Sequence, residues 1–356
     1  MTIQLGFGLI TAQRYPGDRR SDAELYADAL SLAHDAESLG FDSVWVSEHH
    51  FVDDAYMPSL LPVCAALAAR TQRITIGTAL LLAPLYEPIR LAEDAATVDL
   101  LSGGRFVLGL GLGWREEEFE AIGVPLSERA ARLEDAVATC RQAWAGEAVT
   151  GGSLARYPSP RVTPAPARPG GPPIWVGGIS APAVRRAGRI ADGFMATEVT
   201  AVSPAEQVAQ ARAARAGAGR DREPFAISVH LPTFVHEGDP ARAWERIRPF
   251  HRYVSWKYDD MEEARGRSGP PPAPPDPSPK EEEELRRSIV FGTPEEVSKE
   301  IEAFASAAGG DLHYIARLYW PGMPPAEQRA LMELFARRVA PLLSRRRPQE
   351  VDAIGD

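Results

Sequence analysis

The chain has 356 residues, 44% of them hydrophobic and 25% charged, the balance of a soluble globular protein with one large domain or two ordinary ones. Its formal charge is -10 and no basic stripe offsets it, which argues against a nucleic-acid partner. It has no apolar run long enough to span a membrane. MTIQLGFGLI lacks the basic start of a signal peptide, so a cytoplasmic protein is expected.

In chain order, strand-like and helix-like runs alternate. Residues 4–10 (QLGFGLI) read as a strand. Residues 21–39 read as a helix, with Ser21 and Glu24 in capping-box spacing. A second strand is expected over 43–50 (SVWVSEHH) and an Ala/Leu-rich helix over 60–70. A third strand covers 74–82 (ITIGTALLL), followed by a helix over 88–101. A fourth covers 105–113 (RFVLGLGLG), followed by a long helix over 127–145. After a loop rich in Gly and Pro (151–172) come strands at 173–178 (PIWVGG) and 192–196 (DGFMA). Ser203-Pro204-Ala205-Glu206 and Thr293-Pro294-Glu295-Glu296 each place an N-cap, a proline at N1 and an acid at N3. Strands at 225–235 and 313–320, and a helix over 325–343, complete the series. Eight strands, each followed by a helix, is the count of an α/β protein with a closed (β/α)8 TIM barrel; a doubly wound open sheet is the rival.

One segment interrupts the alternation. Residues 255–285 are charged and then proline-rich, and nothing in 269–279 can form a core. The segment is expected as a mobile insertion between the seventh and eighth strands, either a solvated loop or a lid over the barrel mouth. The barrel is read as a single domain over 1–345, with 346–356 a disordered tail. Cys64 and Cys140 lie far apart in apolar helical patterns and read as reduced core thiols; no Cys/His spacing suggests a metal.

In a (β/α)8 barrel the chemistry sits at the C-terminal ends of the strands. SEHH is such an end: an acid and two histidines directly after the apolar Val44-Trp45-Val46. A histidine there can exchange a proton near neutral pH, and a neighbouring carboxylate can orient it. The residues alone leave open whether these are catalytic or satisfied rim groups. Gly109, Gly111 and Gly113 strip side chains from another strand end, which suits either close approach by a ligand or a tight turn. Gly177 and Gly178 precede a helix whose free N–H groups could cradle an anion. Thr197, Glu198, His230 and Arg317 also fall near strand ends, with no motif to give them a role.

Taken together, EHHF, GTALLLAPLYEPIRLAEDAATVDLLSGGRF, LGLGLGWREEEFEAIG, PPIWVGG and RIADGF, in this order and spacing, resemble the bacterial luciferase-like family of flavin-dependent monooxygenases and oxidoreductases. The resemblance covers residues 3–196 and resumes with FGTPEEV at 291–297 and the last strand and helix. It implies the same barrel, with a flavin-type ring over the strand ends. It makes His49 the base or proton donor and puts Glu48 and His50 beside the cofactor. It places Thr78, Ala79 and Leu80 against the ring, with a non-prolyl cis peptide at Ala79–Leu80. Gly111 would leave room for the peroxide, Trp114 would wall the pocket, and Gly177, Gly178 and Ile179 would hold the cofactor phosphate. At Gly111 and Leu112 the luciferases carry a cysteine and a phosphate-binding arginine, absent here. Trp114 stands where deazaflavin-dependent sugar-phosphate dehydrogenases carry a catalytic acid.

The expectation is a monooxygenase using reduced FMN and O2 on a small organic substrate. A separate flavin reductase would supply it, and a homodimer would pair through early helices such as 60–70. The alternatives are hydride transfer with coenzyme F420, to which GLGLGW and PIWVGG lean, and a non-catalytic flavin-binding protein. A metal-dependent barrel hydrolase lacks spaced His/Asp ligands.

Overall fold

A computed structural model describes residues 1–196, 203–263, 265–267 and 271–343. The strands are β1 (Ile3–Ile10), β2 (Ser43–Val46), β3 (Thr75–Thr78), β4 (Leu81–Leu82), β5 (Phe106–Gly111), β6 (Ile174–Gly177), β7 (Gly193–Ala196), β8 (Ala226–Val235), β9 (Val290–Gly292) and β10 (Leu312–Arg317). All pair in parallel. The order β10-β1-β2-β3-β5-β6-β7-β8 closes through a β8–β10 ladder, so the expected eight-stranded barrel is present. The short β4 and β9 are satellites on β5 and β8. The third expected strand is broken into β3 and β4 at Ala79–Leu80, whose peptide bond is cis.

The helix starts follow local chemistry. Ser21, Ser203 and Thr293 all form complete capping boxes with Glu24, Glu206 and Glu296. The helix Leu60–Arg70 buries Leu60, Leu61, Val63, Cys64, Leu67 and Ala68 within its own chain, so its apolar face is already used.

Inside the barrel, Leu9, Trp45, Ala79, Val107, Trp175, Met195 and Ile315 form a core separate from the one between strands and helices. Trp45 and Trp175 stack at 5.1 Å, and His313 meets both edge-on. Burying two such indoles contributes roughly 4–6 kcal/mol each. Gly77 is required beneath them, because a Cβ there would stand 2.2 Å from the Trp45 ring. His313 is tied to Ser43 Oγ at 2.6 Å. Burial pushes its imidazole down to about 3, so it is neutral.

The segment 255–285 departs from the expected loop at both ends. Pro240–Glu263 is one long helix, with Trp244, Ile247, Phe250, Val254 and Met261 on its buried face. A capping box at Ser278 and Glu281 opens a further helix, Pro279–Arg287. Residues 271–278 between them have no regular secondary structure. The charges of the segment are largely spent on anchoring: buried Lys257 pairs with Asp53 and Asp260, and Arg267 bridges the same two carboxylates. Tyr253 donates to Asp54 at 2.8 Å. These contacts lay the long helix over the loop that follows β2. Residues 346–356 lie outside the described residues.

Candidate active site

The β2 strand delivers Ser47, Glu48 and His49 to the barrel mouth, all three buried. Ladder bonds continue past its end, with Ser47 N–H on Ile10 O and Ala79 N–H on Val46 O. His50 Nε2 lies 2.8 Å from Glu48 Oε1, and Tyr86 donates to Glu48 Oε2 at 3.2 Å. Burial raises the Glu48 pKa, with the His50 charge opposing it. Burial works against a charged His50, but the hydrogen bond and charge of Glu48, helped by Glu118, outweigh it and raise the His50 pKa. Both shifts favour keeping a proton on this pair.

His49 is held from another direction. Its Nδ1 lies 2.9 Å from Glu118 Oε1, and the same oxygen accepts the His50 backbone N–H at 2.8 Å. Glu118 comes from the helix Glu116–Ile122 and is completely buried. A carboxylate oxygen at Nδ1 fixes the tautomer with hydrogen on that nitrogen, which leaves Nε2 as the proton-exchanging atom. Tyr56, Trp114 and Tyr258 close around the imidazole, with ring centroids 4.9, 5.8 and 5.8 Å away. Tyr56 donates to Ser47 Oγ at 3.0 Å, and Tyr258 belongs to the long helix. Arg115, almost fully buried, donates to His50 O at 2.7 Å and to Met261 O at 2.9 Å, so it ties the β2 loop to the same helix. Sequence reasoning missed Glu118, Tyr56, Tyr86, Tyr258 and Arg115. The nearest signal was the EEEF run, where only Glu118 and Phe119 are buried.

The expected cofactor residues fall into two groups. Thr78, Ala79, Leu80, Gly111 and Gly177 form one wall. The Thr78 hydroxyl donates to Gly109 O at 2.7 Å and accepts Gly109 N–H at 2.8 Å. A Cβ at Gly111 would stand 3.0 Å from Leu80, and one at Gly177 2.5 Å from it. The room these glycines leave is therefore taken by the Leu80 side chain, which bulges from the cis bond and stays half exposed. In the second group, Gly178 clears Ala183, since a Cβ would approach it to 2.6 Å, and Ile179 is 53% exposed. The helix Ala181–Ile190 begins beside them, and its N-cap Ser180 makes no side-chain cap bond. Pro182 has no N–H to offer, but among the described residues no side chain caps the other N–H groups of the first turn, which suits an anion. Trp114, 38% exposed, edges His49. Thr197 and Glu198 lie outside the described residues.

A half-exposed apolar bulge, an oriented histidine and an uncapped helix start fit a flat ring carrying a phosphate arm. The family match to luciferase-like monooxygenases spans residues 5–311. The chain belongs to the luciferase-like monooxygenase family. An F420-dependent glucose-6-phosphate dehydrogenase of Beutenbergia cavernae is 31% identical over 344 residues, covering 93% of this chain and 98% of that one. The oxygenase component of a flavin-dependent trigonelline monooxygenase from Acinetobacter baylyi is 28% identical over 172 residues, so the match spans 48% of either chain, about half the relative's length. Among solved structures, monooxygenase RslO1 of Streptomyces bottropensis shares the fold at a TM-score of 0.81 with 24% identity, over 96% of this chain and 99% of that one. The oxygenating constituent of 3,6-diketocamphane monooxygenase of Pseudomonas putida, in complex with FMN, shares it at 0.72 with 21% identity, over 96% and 99%. The family thus includes relatives named for flavin-dependent oxygenation and for F420-dependent dehydrogenation.

Proposed function

We propose that the chain is a flavin-dependent oxidoreductase, foremost a monooxygenase that works with reduced FMN and O2 on a small organic molecule. A separate reductase would supply the reduced FMN. The observation that carries this reading is His49, clamped through Nδ1 by the buried Glu118 at the barrel mouth. FMN in its reduced form supplies oxygen activation, and coenzyme F420 supplies hydride transfer.

The protein's own part is binding, orientation and protons. Leu80, backed by Gly111 and Gly177 and flanked by Thr78 and Ala79, forms the apolar seat for the ring. The N–H groups from Gly177 through Ile179 and the uncapped helix start hold the phosphate. His49 gives or takes a proton at Nε2, with Glu118 fixing the ring. The Glu48–His50–Tyr86 chain buttresses the loop, and Trp114 walls the pocket. Tyr258, at the end of helix Pro240–Glu263 and against His49, supports a water-excluding lid role for the start of the 255–285 segment.

The F420 reading stands second, favoured by the dehydrogenase relatives aligned along nearly their whole length. Trp114 in place of an acid sets sugar-phosphate oxidation aside. Among the described residues, no helix is long and apolar enough to cross a membrane. A cytoplasmic homodimer fits the family resemblance, with its interface on a face other than the apolar side of Leu60–Arg70. Fluorescence titration of the apo-protein with FMN and with F420 tests the cofactor. Tight FMN binding, followed by oxygen uptake with reduced FMN, is expected. Tight F420 binding alone would replace oxygenation by hydride transfer, and binding of neither would end the reading.

A further inference from the structure

The interior face of the barrel can be followed upward, strand by strand. On β10, His313 packs on Trp45 and Trp175, and Ile315 belongs to the interior cluster. Side chains two residues apart on a strand share a face, so Arg317 is the next interior position, at the open end. On β8, Ala226 packs against the same cluster, and register sets Ser228 beside His313, His230 beside Ile315 and Pro232 beside Arg317. Arg317 and His230 therefore stand together at the mouth. In the closed strand order, β10 lies opposite β5 and β8 opposite β3. That puts the pair across the mouth from Leu80 and Gly111, on the side a substrate would occupy if the ring rests on Leu80.

The chemistry of the pair is incomplete. Arg317 is half-buried, and among the described residues its guanidinium has no hydrogen-bond or ion-pair partner. Its charge is felt by His230, Tyr56 and His251, each of which it makes harder to protonate or easier to deprotonate. Burial first, and Arg317 second, hold His230 down at about 3, so Arg317 carries the positive charge of the pair. His230 Nδ1 is buried and, among the described residues, has no hydrogen-bond partner. With no protein partner among the described residues, the Arg317 fork can take both oxygens of an anionic group at the mouth.

We propose that Arg317, with the neutral His230 ring beside it, forms the anion subsite of the substrate pocket: the molecule oxidised here carries a carboxylate, sulfonate or phosphonate group, gripped by the Arg317 fork. This deepens the oxidoreductase reading and rests on it for where the reacting ring sits. Organic acids are the substrate class, and the reacting carbon lies between the anionic group and Leu80.

The test is calorimetric titration of the protein, at constant ionic strength, with benzoate, benzenesulfonate and methylphosphonate as probes and neutral benzamide as control. The wild type is expected to bind at least one of the anions about tenfold or more tighter than benzamide. Arg317→Met should abolish the preference, and Arg317→Lys should keep part of it. No preference for any of the three anions, or one that survives in Arg317→Met, would overturn the subsite. FMN and F420 titrations on the same proteins separate the two ideas. Cofactor binding without anion preference sinks the subsite alone; anion preference with neither cofactor bound sinks the oxidoreductase reading and leaves the subsite standing.

Discussion

Glu118→Gln is the substitution that probes the site most directly. Glu118 Oε1 serves two donors, His49 Nδ1 at 2.9 Å and the His50 N–H at 2.8 Å, while Oε2 is buried without a partner among the described residues. Glutamine matches the shape and can keep both bonds through its amide oxygen, but as neutral bonds. A hydrogen bond to a charged group contributes about 1.5–3 kcal/mol and a neutral one about 0.5–1.5, so each of the two weakens by about 1–1.5 kcal/mol. The share acting on His49 corresponds to roughly a tenfold loss in kcat. KM should move little, because Glu118 acts through His49 and not on the substrate. Glu118→Ala strands both donors, at about 1–3 kcal/mol each, so denaturant unfolding should show a loss of about 2–6 kcal/mol. Steady-state kinetics, urea unfolding and the ¹⁵N shifts of the His49 ring read the three effects. A glutamine variant with wild-type kcat, or an alanine variant in which His49 keeps its Nδ1–H tautomer, would refute the argument.

Other perturbations have equally definite signs. Gly177→Ala should destabilise by about 1–3 kcal/mol, since its Cβ would meet Leu80 at 2.5 Å, and Leu80→Ala should restore much of the loss in a double-mutant cycle. Gly109→Ala has no such relief, because its Cβ would stand 1.9 Å from the Thr78 carbonyl; failure to yield folded protein is expected. The His313 pKa is depressed in the fold to about 3, so the stabilisation is fully present above the unfolded value near 6.5 and is lost as pH falls from there towards 3. The loss is about 1.4 kcal/mol per pH unit, and urea unfolding between pH 7 and 5 should show a shallower fall for His313→Gln than for wild type. Arg115→Met strands the carbonyls of His50 and Met261 and frees the end of the long helix. Hydrogen exchange should speed up at 255–263 while β10 stays protected; unchanged exchange at 255–263 would count against the tie.

How much of the site was legible depended on whether a residue's role is local. The SEHH run could be read because it follows an apolar strand in a fold whose strand ends carry function, and His49 stands at the mouth. Glu118 could not be singled out from Glu116 and Glu117, because which of three consecutive acids turns inward depends on how a seven-residue helix seats against the barrel. The glycines at 111 and 177 were conspicuous, but spacing could not say that Leu80 fills their room, since Leu80 lies between β3 and β4 and the glycines end β5 and β6. Arg317 and His230 looked like isolated polar residues; the β8–β10 register brings them together.

The sequence by itself determined the alternation of strands and helices and the capped helix starts, while the β8–β10 ladder closes them into a barrel. Hydrophobic periodicity and capping act over a few residues and are written wherever the chain is read. Tertiary structure alone decided that the charged segment after β8 begins as an anchored helix. The Lys257–Asp53 salt link and the Arg115 bond to Met261 O join residues more than a hundred positions apart, and no local window contains both partners. It also decided which polar atoms are satisfied and which are left open at the mouth, because desolvation is set by the packing of the whole barrel and not by any one stretch of it.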